Sequence, residues 1–194
     1  MDKTLYGNTK NPKVFVIGVF HGDEPQGNHL IREYLKRVKD SNLLMLPCLN
    51  QTGMSVGMRV NFNGVDLNRN FPTENWELGE KGNYYGGDFP ASEEETQFIV
   101  ETVEKYSPSL ILTLHSPYKI VNYDGEAEEI AQKISEIIKY PVEKSIGYPT
   151  PGSFGTWAGI EKGIPVITLE LDEEIDVKEL EAPVFKIFEL LENY

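Results

Sequence analysis

Two apolar runs, Lys13-Val-Phe-Val-Ile-Gly-Val-Phe20 and Leu110-Ile-Leu-Thr-Leu114, constrain this chain more than any other feature. Both are short, rich in Val, Ile, Leu and Phe, and nearly continuous in hydrophobicity, whereas a strand with one wet face alternates apolar with polar residues. Such strands need cover on both sides, which predicts a parallel sheet sandwiched between helices. Each run passes at once into a histidine, His21 and His115. Ligands bind at the carboxyl ends of strands in open α/β sheets, so both imidazoles are expected on one rim.

The rest of the chain alternates in the same manner. Strands are expected near 13–20, 43–49, 110–115, 142–146 and 164–170, and helices near 26–38, 92–106, 126–139 and 177–191. Polar loops fill the stretch between 49 and 91. The order predicts the α/β class, as a single three-layer α/β/α domain over residues 1–194 with a mixed, mostly parallel central sheet. A length of 194 residues suits one domain with a sizeable core. The net charge of −13 argues against nucleic acid or an anionic membrane surface as a partner and is compatible with a small substrate. One cysteine rules out an internal disulfide framework, and Cys48 reads as a core filler in the strand at 43–49. The opening residues lack the apolar core of a signal peptide and no apolar run approaches a membrane span, so a cytoplasmic location is expected.

Glu24 stands three residues after His21, and Pro25 behind it suits a first helical position, so a tight turn can aim both side chains at one ion. His115, distant in sequence, completes the set. Zinc takes histidine nitrogen and carboxylate oxygen at roughly 2.0 to 2.2 Å, and catalytic zinc sites use three protein ligands with an open fourth position. Structural zinc sites rely on several cysteines, which this chain lacks. An isolated His-x-x-Glu also arises by chance; placement of both histidines after strands is what favours a metal. The third histidine, His29, lies within the helix at 26–38, whose Leu30, Ile31, Tyr34, Leu35 and Val38 form the apolar stripe, and belongs on a flank.

The segment Arg59-Val-Asn-Phe-Asn-Gly-Val-Asp-Leu-Asn-Arg-Asn-Phe-Pro72 is too dense in Asn, Gly, Asp and Arg for a core strand. Asn and Gly suit a sharply folded loop, and Arg69 offers a planar fork for a carboxylate. Composition by itself favours a polar surface loop with solvated arginines.

Taken together, these residues resemble the zinc carboxypeptidases of the carboxypeptidase A type. The family's His-x-x-Glu is met by His21 and Glu24, its Gly-Val-Asp-x-Asn-Arg-Asn-(Phe or Trp) by Gly64-Val-Asp-Leu-Asn-Arg-Asn-Phe71, and its Ser-Glu-x-Glu-Thr helix opening by Ser92-Glu-Glu-Glu-Thr96. Its strand ending in His-Ser is met by Thr113-Leu-His-Ser116, and its closing Glu by Thr168-Leu-Glu170. The resemblance implies one zinc ion on His21, Glu24 and His115, with Glu170 as the base that deprotonates the attacking water. It further implies Asn68 and Arg69 as the grip on the substrate's free carboxylate, Arg59 as the oxyanion donor, and Asp66 as the carboxylate that orients the imidazole of His21. A cis peptide bond is expected at Ser116-Pro117.

The chain also departs from the digestive members. Asn50-Gln-Thr-Gly53 replaces Asn-Pro-Asp-Gly, and Tyr148-Pro-Thr-Pro-Gly-Ser-Phe-Gly-Thr-Trp157 is similar to the mobile-tyrosine segment with Gly155 in place of an Asp. Tyr148 is thus a candidate substrate contact. These departures resemble the compact bacterial branch that includes murein peptide amidases, which implies cleavage between D-γ-glutamate and diaminopimelate; Asp124 is then a candidate for meeting the amine end. Two other readings stay open. One is a zinc deacylase of N-acyl amino acids similar to aspartoacylase or succinylglutamate desuccinylase, against which the complete Asn-Arg-Asn-Phe-Pro72 speaks. The other is a metal-binding, non-catalytic module for peptide C-termini, which has no need of Glu170.

Overall fold

The computed structural model describes residues 3–144 and 147–194. Among them the chain runs β1 (Tyr6–Gly7), β2 (Val14–Gly18), α1 (Gln26–Arg37), β3 (Leu44–Leu46), α2 (Gln51–Val56), α3 (Glu94–Tyr106), β4 (Leu110–His115), β5 (Ile120–Asp124), α4 (Glu128–Ile138), β6 (Val142–Glu143), β7 (Val166–Glu170) and α5 (Val177–Leu191). A 3₁₀ turn covers Leu67–Arg69 and a π-helical segment covers Gly155–Glu161. The strands form one mixed sheet in the order β1-β3-β2-β4-β7-β5-β6. The β1–β3 and β7–β5 pairings are antiparallel and the others parallel.

Side-chain alternation along the strands builds two cores. Val14, Val16, Met45, Leu112, Leu114, Ile167 and Leu169 point to the face covered by α1, α4 and α5. Phe15, Ile17, Leu44, Leu46 and Ile111 point the other way, onto Ile99 and Val103 of α3 and onto Phe154 and Trp157. Full burial of each such side chain contributes about 1.5 to 3 kcal/mol, which explains why β2, β4 and β7 occupy the centre of the order. On that second face the apolar cover ends at the carboxyl halves of β4 and β7 and along β5. There Thr113, His115, Thr168, Glu170, Asn122 and Asp124 replace it, and all but Thr113 line a cleft.

The sheet has two strands that the sequence pattern does not predict. β1 is too short to carry a period. β5 alternates Val121 and Tyr123, which join the helix-covered core, with Asn122 and Asp124 on the cleft side. The strand expected at 43–49 ends at Leu46, and Cys48 is buried beyond it rather than within it. Of the strand expected at 142–146, Val142–Glu143 is observed, and residues 145 and 146 lie outside the described residues. α2 interrupts the stretch read as loop. His29 is half-buried on the flank of α1, its Nε2 2.9 Å from Oε1 of Glu181.

Candidate active site

β2 delivers its chain to the rim through a sharp turn. Val19 takes a φ of 57°, a left-handed conformation that is costly for a β-branched residue. Gly22 packs so tightly against the backbone of Gly53 and Met54 that a side chain there would overlap them. His21 and Glu24 are thereby folded back on each other, with the Glu24 amide donating to the His21 carbonyl at 3.1 Å.

His115 ends β4 beside them. Nδ1 of His21 lies 2.7 Å from Oε1 of Glu24, and Nδ1 of His115 lies 3.0 Å from Oε2 of the same carboxylate. The Ser116 amide donates to Glu24 Oε2 at 3.2 Å, and the Ser116-Pro117 bond is cis. One ligand atom from each of His21, Glu24 and His115 falls within 4.8 Å of the others, and all three residues are buried. Two neutral imidazole nitrogens and one carboxylate oxygen are a donor set that zinc accepts, and the residues present fit such an ion.

The electrostatics without an ion show how strongly the site seeks positive charge. Burial lowers the pKa of His21, yet the charges of Glu24 and then Asp66 outweigh it and raise the value to about 9. Glu24 is pulled well below the usual carboxylate range against its own burial, chiefly by His21. Asp66, fully buried, is held at about 2 by His21 and the two arginines against the same opposing effect. Its Oδ1 sits 3.1 Å from Nε2 of His21 and accepts the Asn68 amide at 2.9 Å. Its Oδ2 accepts from Nε and Nη2 of Arg59 at 3.0 and 2.9 Å. Asp66 thus joins the imidazole to the arginine.

A cleft of about 440 Å³ opens over this cluster, and Arg59, Asn68, Arg69, Tyr148, Asp124 and Glu170 all line it. Glu170 is the register partner of His115 across the β4–β7 pair. Its Oε2 is buried and has no hydrogen-bond partner among the described residues, as has Ser116 Oγ. Burial raises the pKa of Glu170; His115 opposes this and Glu24 reinforces it. Asn68 Oδ1 accepts the Phe154 amide at 2.8 Å, and the Asn68 carbonyl accepts from Nη1 of Arg69 at 2.7 Å. Arg59 does not stand free, since its fork is spent on Asp66, with Nη1 3.6 Å from Glu24. Tyr148 stands half-exposed, and burial together with Tyr118 pushes its pKa up to about 12.

Several lining residues escape the sequence pattern. The Tyr84 ring lies 5.0 Å from the guanidinium carbon of Arg59 and 5.9 Å from that of Arg69. Lys144, Asn122 and the exposed Glu173 line the cleft as well. Alternation along β5 is the one signal that marks Asn122; a tyrosine in a glycine-rich loop carries none.

Comparison with known proteins adds to this geometry. The family model for zinc carboxypeptidases matches residues 3–132. The chain belongs to that family. Among its relatives are murein peptide amidase A of Vibrio campbellii, 32% identical over 183 residues that cover 83% of this chain and 70% of the relative. Murein peptide amidase A of Escherichia coli K12 is 36% identical over 122 residues, 57% of this chain and 50% of that protein. The match therefore spans about half the length of the Escherichia coli relative. The crystal structure of murein-tripeptide amidase MpaA from Escherichia coli O157 superposes with a TM-score of 0.85 at 28% identity, covering 97% of this chain and 85% of that one. Carboxypeptidase A from Helicoverpa armigera shares the fold, with a TM-score of 0.74 at 17% identity over 94% of this chain and 61% of that one. The three-layer mixed sheet is the zinc carboxypeptidase fold.

Proposed function

We propose that this chain is a zinc-dependent hydrolase that cleaves the amide bond next to a residue bearing a free carboxylate, and that its substrate is the γ-D-glutamyl-diaminopimelate bond of cell-wall peptides. One observation carries the reading: His21, Glu24 and His115 bring ligand atoms within 4.8 Å of one another, and Glu170, whose Oε2 has no partner among the described residues, is the register partner of His115. A single zinc ion on those three residues supplies Lewis acidity toward the scissile carbonyl.

The remaining work falls to the chain's own groups. Glu170 takes a proton from the attacking water and returns it to the departing amine. Arg59, fixed by Asp66 through Nε and Nη2, keeps Nη1 to meet the negative charge that develops on the carbonyl oxygen. Arg69 and Asn68 hold the substrate carboxylate, and Tyr148 closes over it from the mouth. Asp66 fixes the ring of His21 through its second nitrogen. The names of the relatives support the cell-wall peptide as substrate.

One catalytic domain over residues 1–194, a cytoplasmic setting, and no nucleic-acid or membrane partner belong to the same proposal. The free, buried Cys48 suits a reducing compartment, and among the described residues no helix is long and apolar enough to cross a membrane. Incubating zinc-loaded protein with L-Ala-γ-D-Glu-meso-diaminopimelate tests the reading. Release of diaminopimelate is expected. No release from it, with turnover of N-acyl amino acids instead, makes the chain a deacylase.

A further inference from the structure

We propose that Glu93, outside the cleft, is the positioning residue of the substrate grip: from the N-terminus of α3 it holds both ends of the loop that carries Asp66, Asn68 and Arg69. This rests on the hydrolytic reading for what Asn68 and Arg69 hold, and it adds the residue that aims them.

The Ser92-Glu-Glu-Glu-Thr96 segment opens α3, and no step of the reaction uses it. Glu93 stands just before the helix, yet its side chain makes no hydrogen bond to the helix it precedes. The short side chains favoured at that position turn an oxygen back onto the first helical amides; the longer Glu93 reaches away instead. Its Oε2 accepts from Nδ2 of Asn61 at 2.7 Å and from Nδ2 of Asn63 at 2.8 Å, and its Oε1 accepts from Oγ of Ser92 at 2.7 Å. Glu93 is only 5% exposed. A carboxylate withdrawn that far from water is unfavourable unless donors satisfy it. Here the donors come from the loop, and the partly positive helix N-terminus adds to them.

Asn61 shapes the start of that loop. Its Oδ1 accepts the amides of Asn63 at 3.0 Å and Val65 at 3.1 Å, and its own amide donates to the Val65 carbonyl at 2.9 Å. Asn70 closes the other end. Its Oδ1 accepts the Glu93 amide at 3.1 Å, and its Nδ2 donates to Oγ of Ser92 at 3.0 Å and to the Gly86 carbonyl at 2.7 Å. Glu93 thus takes Asn61 through its carboxylate and Asn70 through its amide, with Asp66, Asn68 and Arg69 between them. Arg59 is anchored separately, because its carbonyl accepts the Gly22 amide at 3.2 Å and Nδ2 of Asn50 at 3.0 Å. The His21, Glu24 and His115 cluster also lies outside the loop. Removing the carboxylate therefore loosens the grip on the substrate more than it disturbs the chemical step.

The experiment has a kinetic arm and a binding arm, both with L-Ala-γ-D-Glu-meso-diaminopimelate at saturating zinc. Displacing a positioning group by about an ångström can cost on the order of a hundredfold, so Glu93→Ala is expected to raise KM by roughly 10- to 100-fold and to change kcat by less than about threefold. Glu93→Gln, whose Oε1 can accept from both asparagines while its Nε2 donates to Ser92, should return KM to within about threefold of native. Residues that act through one another are not additive, so in an Arg69→Met background Glu93→Ala should lower kcat/KM by less than about threefold. Glu93→Asp, with the carboxylate withdrawn by one methylene, carries the expectation of Glu93→Ala should the latter not fold. In the binding arm, calorimetry in a Glu170→Gln background should show the peptide bound roughly 10- to 100-fold more weakly once Glu93→Ala is added. A lowered melting temperature with native KM, or an equal loss with and without Arg69, makes Glu93 a stabilising residue only and overturns its role while the hydrolytic reading stands. Glu93-dependent binding without hydrolysis by the native protein does the reverse. Neither hydrolysis nor binding overturns both.

Discussion

Glu170 is a buried carboxylate whose Oε2 has no partner among the described residues, a condition that costs stability unless the group has a task. Replacing it with glutamine keeps the volume and removes the proton acceptor. Glu170→Gln is expected to lower kcat by about 10²- to 10⁴-fold, with zinc content by elemental analysis unchanged; substantial turnover in this variant removes Glu170 as the base. Asp66 acts one step further back. Because it meets His21, Arg59 and the Asn68 amide at once, Asp66→Asn should weaken zinc binding by about 10- to 100-fold. Competition with a chromophoric chelator measures that directly. At this scale the sequence is legible where residue types are rare and placement is informative: three histidines, two of them after strands, mark the centre. The engagement of Arg59 with Asp66 is not legible, because no spacing rule says which of several cleft carboxylates an arginine will meet. Tyr84 and Lys144 are unmarked for a similar reason, since loop composition does not tell a cleft from open surface.

Elements matter here through what they press together. α2 is short, and one residue decides whether it forms: Oδ1 of Asn50 accepts the Gly53 amide at 2.9 Å as the helix cap. The same side chain donates through Nδ2 to the carbonyls of Phe20 at 3.3 Å and Arg59 at 3.0 Å. It therefore ties the turn that carries His21 to the loop that carries Arg59. Asn50→Ala leaves these buried groups unpaired and is expected to cost about 1 to 3 kcal/mol, read as a lowered midpoint in urea with an unchanged slope. A neutral effect would show that water replaces the amide. The strands buried on both faces are legible because burial erases alternation, as in β2 and β4. α2 is not, because Asn50-Gln-Thr-Gly53 reads as a polar turn and the cap's partners lie in other segments. The π-helical segment escapes for a different reason: Gly155 and Gly159 lie against Asp124 of β5, a tertiary contact with no local signature.

At the scale of the whole molecule, the metal centre is the point where separately folded segments are made to agree. His21 and Glu24 follow β2, His115 ends β4, and Asp66 reaches in from the loop after α2; the four groups meet only while the sheet and the loops hold together. A ligand that binds only this arrangement stabilises the entire fold by linkage, by about 2.7 kcal/mol at a free concentration one hundred times its Kd. For a domain of this size each kcal/mol moves the melting temperature by about 2 to 4 °C, so saturating zinc should raise it by about 5 to 11 °C. The chelated protein should be inactive and regain activity with the metal. His115→Ala is expected to retain little of the zinc-dependent shift, whereas Glu170→Gln, which removes no ligand, should retain it in full. The contrast separates metal binding from catalysis: an equal shift in His115→Ala would place the ion elsewhere, and no shift in the native protein would mean that the three side chains do not act as one site.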